Sequence, residues 1–245
     1  MFLDSLSSKF HIRFKDRTSA ANLLSKALQD ILKKLKKKEA QANPNGRQFE
    51  SNLLVIGIPR GGVVIADVIS KKLFCETDLV IPRKLGAPDN KELAIGAVVE
   101  DGTLYLNQDI IDSLNITKEY IEHEKLEQIE EIKRRKSQYQ LAGPNEPSSK
   151  IKGKIVILVD DGIATGATII AAARWIKKYL PKYLIIAAPV ATKETIGILT
   201  DEADEVEIIA TPPNSKFQAV AQFYQDFRPI EDNEIKQILS GYDKT

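Results

Sequence analysis

The most regular feature of the chain is an alternation between short apolar runs and amphipathic segments, which starts near position 53. The runs LLVIGI, KIVILV and YLIIAAPV are uninterrupted, as in strands that are buried on both faces of a sheet. Shorter runs predict further strands at DLVIP, LAIGAVV, TLYLN and EVEIIA, and the segments VVIADVISKKL and ATIIAAARWIKKYL have helical periodicity. This order predicts an α/β fold: a mostly parallel sheet with helices on both faces.

Three segments lie outside this alternation. Near the N-terminus, apolar residues three and four positions apart predict a helix that Asp16 or Thr18 caps, with the run Lys33–Lys38 as its solvated end. The segment TKEYIEHEKLEQIEEIKRRKSQY predicts a long charged helix on the sheet edge, with a thin apolar stripe of Ile121, Leu126 and Ile129. RKLGAPDNKE predicts a polar loop.

Composition narrows the class of protein. Of 245 residues, 43% are hydrophobic and 28% charged, and 35 Lys and Arg face 34 Asp and Glu, which leaves a net charge of +1. This balance gives no reason to expect nucleic acid or a membrane as a partner. One Cys and two His exclude an intrachain disulfide and a Cys/His zinc site, which suggests a reducing compartment. Without an apolar run near about 18 residues or a signal peptide, we expect a soluble, cytoplasmic protein.

The segment VILVDDGIATGAT combines the features of a ligand site. Asp160 and Asp161 end a predicted buried strand, a loop of small residues follows, and a helix starts at about Ala167. A helix N-terminus suits a phosphate, to which Thr165 and Thr168 add hydroxyl donors, whereas the carboxylates suit a ribose diol or a cation. A sugar phosphate with a free diol fits both halves. The alternative is that Asp160 only caps the helix and the glycines only form a tight turn.

The same segment resembles the 5-phosphoribosyl diphosphate (PRPP) binding motif of the type I phosphoribosyltransferases. PRGG at 59–62, RKLGAP at 83–88 and ELAIGAV at 92–98 extend the resemblance, which covers the chain from about Phe14 to Leu239. It implies a single phosphoribosyltransferase domain over 1–245. Its core would span 53–210 with an inserted helix at 117–140, and its small hood would come from about 1–48 and from 211–245.

The resemblance also implies a role for each part of the site. Asp160 and Asp161 would bind the ribose hydroxyls, and one of them would support the developing oxocarbenium ion. Lys84 would be a further catalytic residue that neutralises diphosphate charge. The 5′-phosphate would be bound by Ala164, Thr165, Gly166, Ala167 and Thr168. The diphosphate would be bound by Pro59, Arg60, Gly61, Gly62 and Arg83. Mg²⁺ would be bound through PRPP, with no protein ligand assigned directly, and LGAPDNKE would be a flexible lid.

The implied reaction transfers the 5-phosphoribosyl group of PRPP to a nitrogenous acceptor such as a nucleobase and releases diphosphate. Phe217 and Tyr224 are candidates for stacking on the acceptor, or else they pack in the core. The expected partners are PRPP and a small-molecule acceptor, and a homo-oligomer stays open. Two other functions also stay open: a non-catalytic regulatory protein that binds PRPP or a nucleotide, and a hydrolase or phosphotransferase that acts on another sugar phosphate.

Overall fold

The computed structural model describes residues 12–42, 52–139 and 150–241. Two short 3₁₀ turns, Asn214–Lys216 and Val220–Phe223, precede the last helix. In chain order the elements are α1 (Arg17–Ala42), β1 (Leu53–Gly57), α2 (Gly61–Leu73), β2 (Glu76–Leu79), β3 (Arg83–Ala87), β4 (Asn90–Val98), β5 (Leu104–Leu106), α3 (Gln108–Ser113), α4 (Lys118–Gln138), β6 (Ile155–Val159), α5 (Ala167–Lys177), β7 (Tyr183–Val190), α6 (Lys193–Leu199), β8 (Glu205–Ala210) and α7 (Asp232–Ser240).

Five parallel strands form the main sheet, in the order β2-β1-β6-β7-β8. Every residue of β1 and β6 is buried, because helices cover both faces of the sheet. Side chains alternate between the faces: Val55 packs with α1 and α2, whereas Leu54 and Ile56 pack with α5. The predicted α/β class, with a mostly parallel sheet and helices on both faces, is confirmed.

Helix α1 packs on the main sheet beside α2. The cap is Asp16, not Thr18, because Asp16 Oδ1 accepts a hydrogen bond of 2.7 Å from the Ser19 amide. Phe14, just before the helix, pairs with the C-terminal segment: its amide donates to the Phe223 carbonyl at 2.7 Å, and its carbonyl accepts from the Gln225 amide at 2.8 Å. The two ends of the described chain therefore meet, while the hood boundaries at 1–48 and 211–245, which extend beyond the described residues, stay a prediction.

A second, antiparallel sheet contains β3, β4 and β5. The prediction of a polar loop at RKLGAPDNKE was wrong, because this segment forms the β3–β4 hairpin with a turn at 88–89. Leu85 is fully buried and Ala87 is 2% exposed, and both pack in one cluster with Ile95 and Val98. Two small or apolar positions among many polar ones were enough to form a strand once a partner strand was available.

Helix α4 covers this small sheet, and the predicted apolar stripe was partly wrong. Ile121 and Ile132 are buried, but Leu126 is 61% exposed. Glu124, a carboxylate, occupies the buried face between them at 2% exposure. Within the described ranges, no helix has an apolar stretch long enough to span a bilayer.

Candidate active site

The candidate site lies at the topological switch point of the main sheet, between β1 and β6. Strands β1 and β6 are neighbours, but the chain runs from β1 to β2 on one side and from β6 to β7 on the other. At such a switch point the loops after the two strands separate and leave a crevice. A cleft of about 740 Å³ opens there. It is bordered by eight residues that the sequence predicted: Pro59, Arg60, Gly61, Arg83, Lys84, Asp160, Asp161 and Thr168.

The other five predicted site residues are not among those that line the cleft. Ala164 and Thr165 are exposed in the loop before α5, whereas Gly166 and Ala167 are buried where that helix begins. Two hydrogen bonds position this loop: Ile163 N donates to Val190 O at 2.8 Å, and Thr195 Oγ1 donates to Ala164 O at 2.7 Å. The fifth residue, Gly62, is buried in the first turn of α2.

Two helix N-termini flank the site, and neither has a side-chain cap. Arg60 is at the N-cap of α2 and Gly166, with φ +82°, is at the N-cap of α5. The first-turn amides of these helices are therefore available to an anion. Because Gly166 is at this position, the alternative in which Asp160 is only the cap of α5 is wrong. By contrast, side chains cap α3, α4 and α6, namely Asn107, Thr117 and Thr192.

Asp161 is held from three directions. Its Oδ2 accepts a hydrogen bond of 2.7 Å from Arg17 Nε, in an ion pair whose side chains are 9% and 15% exposed. Its amide donates to Asp160 Oδ1 at 2.8 Å, and its carbonyl accepts from the Tyr224 hydroxyl at 2.6 Å. Arg17 cannot be recognised from the sequence, because no local pattern distinguishes the first residue of a helix from a ligand-site residue.

The aromatic candidates for acceptor contact pack inside the protein. Tyr224 is 2% exposed, and its ring packs against Phe14 at 5.3 Å and Phe227 at 4.9 Å. Burial raises the pKa of Tyr224, so its hydroxyl remains a donor to Asp161. Phe217 packs against Phe223 at 5.4 Å. Of the two interpretations, core packing is the one the structure supports.

The environment of Asp160 and Asp161 disfavours the ionised form of both carboxylates in the free protein. Burial raises the pKa of Asp160, and the neighbouring Asp161 carboxylate raises it further. Burial also raises the pKa of Asp161, against the opposing effect of the Arg17 cation. A cationic ligand or a developing positive charge in the cleft would therefore be stabilised by this pair.

The loop after β1 lies directly against these carboxylates. A Cβ atom on Gly61 would overlap the Asp161 carboxylate and lie 2.8 Å from Arg17 Nε. A Cβ atom on Gly62 would lie 2.7 Å from the Val159 carbonyl oxygen. Glycine is required at both positions because the first turn of α2 touches the end of β6. The peptide bond between Pro59 and Arg60 in this loop is cis.

The β3–β4 hairpin and α4 form the opposite wall of the cleft. Lys84 is exposed there, and no carboxylate in the described part of the chain pairs with it. Arg83 Nε donates to Gln128 Oε1 at 3.0 Å, and burial together with the nearby Arg135 cation lowers the pKa of Arg83. Glu124 accepts from the Gly86 amide at 3.3 Å and pairs with a lysine of β4. The contribution of α4 to the cleft was not predicted.

The side chains of the site argue against a metal ion that is bound by protein ligands alone, but they permit one that is bound together with an anionic ligand. Among the described residues, no three Asp, Glu, His or Cys side chains lie close enough to form a metal site. Mg²⁺, however, is usually bound by one or two carboxylates together with substrate phosphates and water. Asp160 and Asp161 match that pattern, so the site fits Mg²⁺ that arrives with an anionic ligand.

A family model described as the phosphoribosyl transferase domain matches residues 25–227. Two proteins of Mycobacterium tuberculosis, from strains CDC 1551 and H37Rv, are each 34% identical to this chain over 202 residues, and both are provisionally named as phosphoribosyl transferases. The match covers 79% of this chain but 44% of each relative, so the chain spans less than half the length of these curated proteins.

A solved structure is similar over almost the whole chain. The crystal structure of TT1426 from Thermus thermophilus has 35% sequence identity and a TM-score of 0.70. The match covers 94% of this chain and 99% of that one.

Proposed function

The chain belongs to the phosphoribosyl transferase domain family, and we propose on that premise that it transfers the 5-phosphoribosyl group of PRPP to a nitrogen acceptor and releases diphosphate. One observation carries the proposal: the acidic pair lies between two uncapped helix N-termini in a single cleft. A ligand with a diol and an anionic group on either side of it matches this arrangement.

The 5′-phosphate binds at the N-terminus of α5 in this proposal. The first hydrogen bond inside the helix runs from Ile170 N to Gly166 O at 2.9 Å, so the preceding amides can donate to phosphate oxygens. The hydroxyl groups of Thr165 and Thr168 add two donors. Ala164 and Ala167 leave room for the phosphate because they are small.

The ribose lies over Asp160 and Asp161, which accept hydrogen bonds from its hydroxyl groups. The bond between C1 and the diphosphate oxygen breaks with its electron pair going to the diphosphate. The nitrogen lone pair of the acceptor forms the new bond to C1, and a water molecule accepts the proton that the acceptor nitrogen loses. The carboxylates stabilise the positive charge that develops on the sugar between these events.

The diphosphate lies on the loop at 59–62, where the α2 amides and Arg60 meet it, with Lys84 and Arg83 on the opposite wall. Arg60 has a long, exposed ion pair with Asp232 at 3.9 Å, which a diphosphate would replace. Each charge-assisted hydrogen bond contributes about 1.5–3 kcal/mol. Mg²⁺, held mainly by ligand oxygens and by the acidic pair, would reduce the negative charge of the leaving group.

The test incubates the protein with PRPP, Mg²⁺ and a panel of nitrogenous bases, and identifies products by mass spectrometry. We expect a ribosylated acceptor together with diphosphate. Lys84→Ala should reduce turnover, whereas Lys152→Ala, which removes an exposed lysine near the opposite end of β6, should not. Ribose 5-phosphate formed without an acceptor would indicate a hydrolase, and PRPP binding without turnover a regulatory protein; either result contradicts the proposal.

A further inference from the structure

Arg17 makes three contacts with the site and its surroundings. Its Nε donates to Asp161 Oδ2 at 2.7 Å, and its Nη1 donates to the Arg228 carbonyl at 2.9 Å. The carbon of its guanidinium group lies 3.9 Å from the centre of the Phe227 ring. The whole residue is 8% exposed, and arginines are seldom buried to this degree unless they are paired.

We propose that Arg17 is a positioning residue for the transferase reaction, acting through Asp161. This inference rests on the proposed function. The guanidinium engages one carboxylate oxygen, so Asp161 cannot rotate without breaking the ion pair. The ion pair is already formed without a bound ligand, so Asp161 is oriented before the ligand arrives.

The geometry of the contacts requires arginine. The planar guanidinium donates to Asp161 and to Arg228 through different nitrogen atoms while its face stacks on Phe227. The ammonium group of a lysine is a point charge and does not reproduce this combination. Arg17 begins α1, whereas Phe227 and Arg228 belong to the C-terminal segment. Both ends of the described chain therefore contact the acidic turn, the segment after β6 that contains Asp160 and Asp161.

A purely structural role is the competing explanation, because removal of a buried ion pair can destabilise a protein without any effect on chemistry. Three variants separate the two: Arg17→Ala, Arg17→Lys and a control, Arg13→Ala. Arg13 is an exposed arginine four residues earlier, whose Nε donates to the Tyr224 carbonyl at 3.2 Å and which lies outside the acidic turn. Each variant is measured for melting temperature, PRPP affinity, kcat and KM, with and without added guanidinium at low millimolar concentration.

We expect kcat of Arg17→Ala to fall about 100-fold, the effect of misplacing one group at a reacting centre by roughly 1 Å. The affinity for PRPP should change by less than about threefold, since the phosphate contacts remain. Free guanidinium should restore part of kcat in Arg17→Ala, and Arg17→Lys should lie between the wild type and Arg17→Ala. Arg13→Ala should match the wild type.

Two results would overturn the inference while leaving the transferase assignment intact. In one, Arg17→Ala remains folded and keeps the wild-type kcat. In the other, the loss of kcat follows the loss of melting temperature and guanidinium restores nothing. If the wild-type protein ribosylates no acceptor, the proposed function fails first, and the role of Arg17 in that reaction fails with it.

Discussion

The close approach of the α2 N-terminus to the acidic turn makes Gly61 the most informative position to change. In Gly61→Ala the new Cβ atom would overlap the Asp161 carboxylate and lie 2.8 Å from Arg17 Nε. A flexible side chain would move away at little cost, but the Asp161 carboxylate is held by the 2.7 Å bond to Arg17. Either the carboxylate breaks that bond or the loop at 59–62 moves.

Both responses have a measurable cost. Overpacking of this kind destabilises a protein by about 1–3 kcal/mol. For a chain of this size each kcal/mol lowers the melting temperature by roughly 2–4 °C, so we expect a decrease of about 2–12 °C. Because either response displaces a group at the reacting centre by roughly 1 Å, turnover should fall about 100-fold.

Gly197→Ala is the matched control. Gly197 lies inside α6, and a Cβ atom there would meet no other atom within 4 Å. The same substitution at this position should stabilise the protein by about 0.4–1 kcal/mol and leave activity unchanged. Calorimetry and steady-state kinetics on the two variants decide the matter. If Gly61→Ala has the melting temperature and turnover of the wild type, the contact between the loop and the acidic turn is refuted.

Three further predictions follow from individual contacts. The sequence alone predicts that Asp160→Asn and Asp161→Asn both fold normally and lose turnover. In the structure the two differ in stability: Asp160→Asn removes a carboxylate whose pKa is raised and should keep or increase the melting temperature. Asp161→Asn leaves Arg17 without its counter-charge and should lower the free energy of unfolding by up to about 3 kcal/mol. Calorimetry that ranks the two variants the other way contradicts this. Burial raises the pKa of Cys75, the single cysteine, to about 12, so iodoacetamide at pH 8 should modify it only after unfolding, and rapid native labelling would refute that burial. Glu124→Ala should speed hydrogen exchange at the Gly86 amide, whose acceptor it removes; an unchanged rate there would mean that β4 alone protects the amide.

The predicted lid is the part of the site where the structure differs most from the prediction. The sequence suggested a loop at 85–92 that orders only when ligand binds. In the structure its first half is the buried end of β3, and the carboxylate of Glu124 and the hydroxyl of Tyr120 form hydrogen bonds that join Gly86 to α4. Closure over a ligand remains a prediction, and it would involve the hairpin and α4 together, since these contacts join them.

The sequence by itself determined the main sheet, its helical layers and the acidic turn. Unbroken apolar runs have no amphipathic face and must be buried on both sides, which limits them to central strands of a covered sheet. The turn at 160–168 is equally local, because the strand end, the carboxylates, the positive-φ glycine and the helix start are consecutive in the chain.

The tertiary structure alone decided which side chains complete the site. Arg17 and Tyr224 reach Asp161 from 144 and 63 positions away, and no local periodicity encodes such a pairing. The same holds for Glu124, a charged residue on a buried helix face, which is tolerated because an amide of β3 and a lysine of β4 are among its partners there. A short motif specifies the atoms that meet a ligand, whereas the partners that orient those atoms depend on how distant segments pack.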